Sequence, residues 1–200
     1  MLSNKQALIP YLLLIAALAG GLLWHESELV PGLGKSVITG QATVGGPFRL
    51  TDQTGKTVTD ADFRGRYMLI YFGYTHCPDA CPTMLSDMAS AIDQLPAKDR
   101  AKLVPIFITV DPERDIPATM GEYAQAFGPS FIGLTGSQAD ITKAEEAYHV
   151  YAKKHPLKSG DYAMDHSSIL YVMGPDGVFL GVVQDTKPGL MAQQLQSLGV

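Results

Sequence analysis

Cys77 and Cys81 are the only two cysteines in the chain, and they lie within the stretch Phe72–Pro82, FGYTHCPDACP. A disulfide-stapled secreted domain uses more cysteines and spreads them along its length. Two close thiols read instead as a redox pair or as a soft-metal site, with a pair of buried apolar thiols as the bland alternative. The run before them, Tyr67 to Phe72 (YMLIYF), is almost continuously apolar, as in a strand buried on both faces. A helix is predicted from Pro78 to Leu95. Leu85, Met88 and Ile92 recur there at helical spacing, Pro78 suits the first helical position and Pro96 stops the run. Reactive groups collect at the carboxyl ends of such strands. On this reading Cys77 stands at the helix N-terminus, where dipole and free N–H groups favour a thiolate. Cys81 lies about one turn later, so both sulfurs share a helix face. Thiolates bind soft ions, Cu(I) above all, and two sulfurs already suit Cu(I). Cu(II) needs further nitrogen or oxygen donors.

Five histidines are available. His25 follows a long apolar run, and His149 and His155 lie in a polar, Tyr- and Lys-rich segment, so all three read as solvated. His76 neighbours Cys77, but adjacent side chains diverge. His166 lies in AMDHSS, just before the predicted strand Ile169–Met173. A loop entering a strand next to the cysteine strand can face the start of the cysteine helix. From the residues alone His166 is either a third ligand or a capping loop histidine. Asp79 and Asp165, beside the candidate ligands, read as hydrogen-bonding residues rather than weak ligands.

The elements that must position these groups follow from the pattern. Phe48–Val58 reads as a hairpin with a turn near Gln53-Thr54-Gly55. Leu103–Val110 is a second buried strand, Pro117–Phe127 a helix and Phe131–Leu134 a short strand. Ser137 is a good N-cap for a helix running to His149. Ile169–Met173 and Val178–Val183 form a hairpin about Gly174-Pro175-Asp176-Gly177, and a last helix covers Pro188–Leu198. Strands alternating with helices, closed by a hairpin and a helix, predict a three-layer α/β domain.

Residues 1–25 read as a membrane anchor, 26–45 as a glycine-rich linker and 46–200 as the folded domain. Ala7 to Trp24 carries no charge. A helix of that length spans roughly 27 Å, enough for the hydrocarbon core of a bilayer. Lys5 precedes the run and Glu26 and Glu28 follow it, which places the N-terminus in the cytoplasm and the domain on the exported side, the bacterial periplasm or an equivalent intermembrane space. A cleaved signal peptide with a site at Ala17-Leu18-Ala19 is the competing reading. The net charge of −5 and the lack of any Lys/Arg run argue against nucleic acid as a partner.

FGYTHCPDACP, VDPERD (Val110–Asp115) and DYAMDHSSILYVMGPDG (Asp161–Gly177) together resemble the Sco/SenC family of copper-binding cytochrome c oxidase assembly proteins. The resemblance runs over residues 42–198, roughly, and includes the spacing between Cys81 and His166. It implies a thioredoxin-like fold with an added hairpin. It implies that Cys77, Cys81 and His166 hold copper, as Cu(I) and Cu(II). It implies as partner the copper-centre subunit of cytochrome c oxidase or another copper chaperone. No proline occurs from Ala163 to Gly174, so His166 is free to take the place where thioredoxins put a cis-proline. Asp111, Glu113, Arg114 and Asp115 read as a salt-bridge and capping cluster that orders a loop near the site. The same cysteines also fit an enzyme, a thiol–disulfide oxidoreductase that reduces client cysteines before metal loading, with Cys77 attacking and Cys81 resolving. A peroxidase uses fewer of these residues, and a copper or redox sensor needs an output domain on another chain.

The anchor reading has a direct check. The full-length chain is expected to stay in the pellet when cell membranes are extracted with carbonate; a shortened soluble form shows that the apolar run is a cleaved signal.

Overall fold

The computed structural model describes residues 44–183 and 186–200. These belong to the second of two units into which the chain divides, Ala42–Val200. The anchor expected over Ala7–Trp24, and the linker as far as residue 43, lie outside the described residues. No helix among the described residues is long and apolar enough to cross a membrane.

A seven-stranded sheet forms the middle layer, in the order β2-β1-β5-β4-β3-β8-β9. β3 (Tyr67–Gly73), β4 (Leu103–Thr109) and β5 (Ile132–Thr135) run parallel. β8 (Leu170–Met173) and β9 (Phe179–Val183) extend one side antiparallel. The hairpin β1 (Arg49–Asp52) and β2 (Thr57–Thr59) extends the other side, next to β5. It is the added N-terminal hairpin. A single 3-10 turn, Asp60–Phe63, leads from it to β3.

β3 and β4 are buried along nearly their whole length because helices cover both faces. Alternation along the strands assigns those helices. Tyr71 stacks on its register partner Phe107, which meets Tyr123 of α3 (Pro117–Gln125). The next residue, Phe72, points the other way and meets Tyr148 of α4 (Gln138–Tyr148). α1 (Ala80–Gln94) follows β3 and packs against the C-terminal α5 (Pro188–Ser197). α2 (Ala97–Arg100) is one turn connecting α1 to β4. Ser137 does cap α4, its side chain accepting the Asp140 N–H.

Two features differ from the sequence reading, and both concern the site. First, α1 begins at Ala80, not at Pro78. A turn closed by the Cys77 N–H on the Tyr74 carbonyl keeps Cys77 to Asp79 out of the helix, and the Asp79 carbonyl takes the first helical bond, from Thr83. Second, the polar segment after α4 is not a loop. It forms a separate hairpin, β6 (Ala152–Pro156) and β7 (Tyr162–His166), that pairs with no strand of the main sheet. Its residues are mostly exposed or half-buried, so no apolar alternation betrays it in the sequence.

Candidate metal centre

Cys77 precedes α1 and is half-buried, whereas Cys81, the second residue of α1, is fully buried. The expectation that both sulfurs share one helix face is therefore corrected: one comes from the turn and one from the helix. They still meet. The Cys81 N–H, one of the unpaired donors of the helix start, donates to Cys77 Sγ at 3.4 Å. Both cysteines are free thiols.

His166 ends β7, directly opposite Ala152 of β6. The following residue is tied down as well: the Ser167 N–H donates to the Tyr151 carbonyl at 2.9 Å, and the Tyr151 N–H to Ser167 Oγ at 3.0 Å. The hairpin thereby carries the imidazole to the cysteines. His166 Nε2 lies 3.4 Å from Cys81 Sγ, and Nδ1 lies 3.1 Å from the Ser167 carbonyl oxygen. A carbonyl can only accept, so Nδ1 carries the proton and the Nε2 lone pair faces the sulfur. The ligand atoms of Cys77, Cys81 and His166 all lie within 4.8 Å of one another.

Aromatic rings wall the site. Tyr71 and Tyr74 meet His166 edge-on, at centroid distances of 6.2 and 5.7 Å. The Tyr71 hydroxyl reaches Ser168 Oγ at 3.0 Å. Burial keeps the Tyr71 phenol neutral far above the ordinary range. It also pushes the Cys81 thiol up to about 12, against a hydrogen bond from the Tyr74 backbone that favours the thiolate. Burial lowers the His166 pKa, so the ring stays neutral at physiological pH. The metal-free site is thus a neutral thiol beside a neutral imidazole. Its two sulfurs and one nitrogen fit a soft or borderline cation and do not fit calcium or magnesium, which take oxygen ligands.

The loop after β4 supports this wall. Asp115 has no exposed surface, and it accepts from the Thr75 N–H at 3.0 Å, the Thr75 hydroxyl at 2.5 Å and the Thr109 hydroxyl at 2.6 Å. That fixes the turn leading into Cys77. Arg114 Nε donates to Asp111 at 2.5 Å, and Glu113 pairs with Lys154 of β6. The salt-bridge cluster expected at Val110–Asp115 is present.

The other candidates fall outside. His76 Nδ1 faces the Thr75 hydroxyl at 3.1 Å, with Asp115 at 3.8 Å. Asp79 takes the Thr83 hydroxyl at 3.4 Å, and Asp165 is exposed. His149 ends α4 in the left-handed conformation, φ 55°, and His155 is exposed on β6. His25 lies outside the described residues. Tyr71, Tyr74 and Ser168 carry no signal in the residues alone, because a tyrosine in or just after an apolar strand reads as packing and a serine before a strand as a loop residue.

The SCO1/SenC family model matches residues 36–198. The chain belongs to this family. A human relative, "Protein SCO1 homolog, mitochondrial", is 43% identical over 143 residues, covering 70% of this chain and 48% of that protein. The chain thus spans about half the length of that curated relative. Among solved structures, Bradyrhizobium japonicum ScoI with copper bound is 48% identical with a TM-score of 0.71, over 78% of this chain and 99% of that one. BsSco, described with a disulfide switch as a member of the Sco family of cytochrome c oxidase assembly proteins, is 28% identical with a TM-score of 0.61, over 80% of this chain and 95% of that one. These likenesses establish the thioredoxin-like fold of the family for residues of the described domain.

Gly73 closes β3 beside Cys81. A Cβ there would stand 2.6 Å from Cys81 Sγ and 2.8 Å from Phe107. Gly73→Ala is expected to lower stability by about 1–3 kcal/mol through overpacking, read as a lower urea midpoint at unchanged slope. A wild-type midpoint contradicts the close approach.

Proposed function

We propose that this protein binds copper through Cys77, Cys81 and His166 and delivers it during assembly of the copper centre of cytochrome c oxidase. The convergence of two sulfurs and the Nε2 lone pair within 4.8 Å carries the reading. Copper is the cargo. Cu(I) is served by the two sulfurs, while the imidazole completes the donor set that Cu(II) needs. Loading displaces the Cys81 proton, which the neutral site otherwise holds, so metal uptake and proton release are coupled. Cys77, half-exposed at the rim, is the sulfur through which a partner thiolate exchanges ligands. The copper-bound state of a relative 48% identical supports the cargo. We also place the domain, residues 46–200, on the exported side, held by an anchor over 1–25 and a linker over 26–45. The partner is the copper-centre subunit of the oxidase or another copper chaperone.

One observation favours a second reading, a thiol–disulfide oxidoreductase. Cys77 and Cys81 are free, adjacent and unequally buried, and a relative carries a disulfide switch. Cys77 would attack a client disulfide, and Cys81 would then displace the client sulfur. The client gains two thiols and this chain ends with a Cys77–Cys81 disulfide.

Substitution separates the donors. Cys77→Ser and Cys81→Ser are each expected to abolish tight Cu(I) binding against a competing chelator with the fold intact. His166→Ala is expected to keep one Cu(I) per chain and to lose or strongly alter the visible Cu(II)–thiolate absorption, while His76→Ala changes it little. An unchanged Cu(II) spectrum in His166→Ala removes His166 from the site and shifts the balance to the dithiol enzyme.

A further inference from the structure

His166 stands on a hairpin that shares no strand pairing with the main sheet. The chain leaves it directly for β8, whose Leu170 pairs with Tyr71 of β3, and contacts across the hairpin must set the rest of its height over Cys81. Apolar packing does so only in part. A cavity of about 170 Å³ opens between Ala152, Lys154 and Met164 of the hairpin and Val110, Asp111 and Glu113 of the loop after β4. Two side-chain ties cross this gap: the exposed pair Glu113–Lys154, and Arg114, which is mostly buried and makes the larger set of contacts.

Its guanidinium is bound on both sides. Nε donates to Asp111, at the carboxyl end of β4. Nη1 donates to the Tyr162 carbonyl at 3.0 Å and to Asp161 at 3.3 Å, at the start of β7. Its plane covers the Tyr162 ring at 3.7 Å, and the Tyr162 hydroxyl donates back to Asp111 at 2.9 Å. On its other flank it lies 5.8 Å from the ring of Tyr74, the residue that meets His166 edge-on. One side chain thus joins the carboxyl end of β4, the turn before Cys77 and the first residue of the strand whose last residue is His166. A planar fork makes this set of contacts; an ammonium cannot.

We propose that Arg114 is a positioning residue for the copper site, holding β7 at the height where the His166 imidazole meets Cys81 Sγ. The proposal rests on the copper reading above. Arg114 touches no donor atom, so it acts through His166. Cu(I), served by the two sulfurs, is nearly indifferent to it. Cu(II) is sensitive to it.

The test uses the full-length chain and the metal alone. Arg114→Gln is expected to retain one Cu(I) per chain. It is expected to lose Cu(II) affinity by about tenfold or more, the range over which such outer partners act, and to shift the visible band toward that of His166→Ala. The double variant Arg114→Gln/His166→Ala is expected to match His166→Ala alone, because the effect passes through the missing ring. In the metal-free protein, amide exchange is expected to quicken at Tyr162–His166 and to stay unchanged in β3. A wild-type Cu(II) band in Arg114→Gln, a further loss in the double variant, or unchanged exchange in β7 overturns the proposal. If Arg114→Gln does not fold, Arg114→Lys keeps the charge and stem without the fork. It is expected to shift the band in the same direction, and a wild-type band there overturns the proposal too. Failure of the wild-type chain to bind copper overturns the copper reading instead, and the metal-free exchange then still decides whether Arg114 holds β7.

Discussion

Cys77 and Cys81 share one turn and helix start, while His166 comes from a hairpin whose strands pair only with each other, so the contact between Cys81 Sγ and His166 Nε2 depends on the short run from His166 into β8 and on side-chain ties. The main sheet supplies one half. β3 ends at Gly73, which leaves room for the Cys81 sulfur, and the turn to Cys77 is held by Asp115 and its three donors. The hairpin β6–β7 supplies the other half, and Arg114, Asp111 and Tyr162 bind the two halves together. A fixed site of this kind loses little freedom on metal binding, because its donors are already close.

Burial sets the chemistry of the donor groups. An ionised thiol in the position of Cys81 is penalised by desolvation, and a protonated imidazole at His166 is penalised in the same way. Both groups are neutral, with the Cys81 thiol facing the imidazole lone pair. A monovalent soft cation in place of that thiol proton would leave the pair without net charge. The same burial keeps the Tyr71 phenol protonated, so the wall contributes an O–H rather than a second negative charge. Cys77 is the more accessible sulfur, and this asymmetry serves ligand exchange and thiol exchange alike. The two readings of function share both sulfurs and differ in what leaves the site and in whether His166 takes part.

Much of this was legible in the residues. Apolar runs such as Tyr67–Phe72 and Leu103–Val110 have the length and composition of central strands, and helical spacing with a flanking proline marks α1. Three ordered motifs tie Cys77, Cys81 and His166 to one family, and the charges of VDPERD point to the salt-bridge and capping cluster that orders this loop. The rest was hidden for physical reasons. The hairpin β6–β7 is mostly exposed, so its Lys, His and Pro residues show no period. The start of α1 moved from Pro78 to Ala80 because a backbone bond between Cys77 and Tyr74, invisible in the sequence, holds the turn. Arg114 was placed in a local cluster, but its reach to Tyr162 spans 48 positions and depends on the hairpin.

X-ray absorption at the copper edge tests the central claim most directly, since it counts the atoms bound to the metal. The copper-loaded full chain should show two sulfur neighbours in both oxidation states and the multiple-scattering signature of one imidazole with Cu(II), the latter missing in His166→Ala. A single sulfur, or an imidazole signature that survives the loss of His166, contradicts the account.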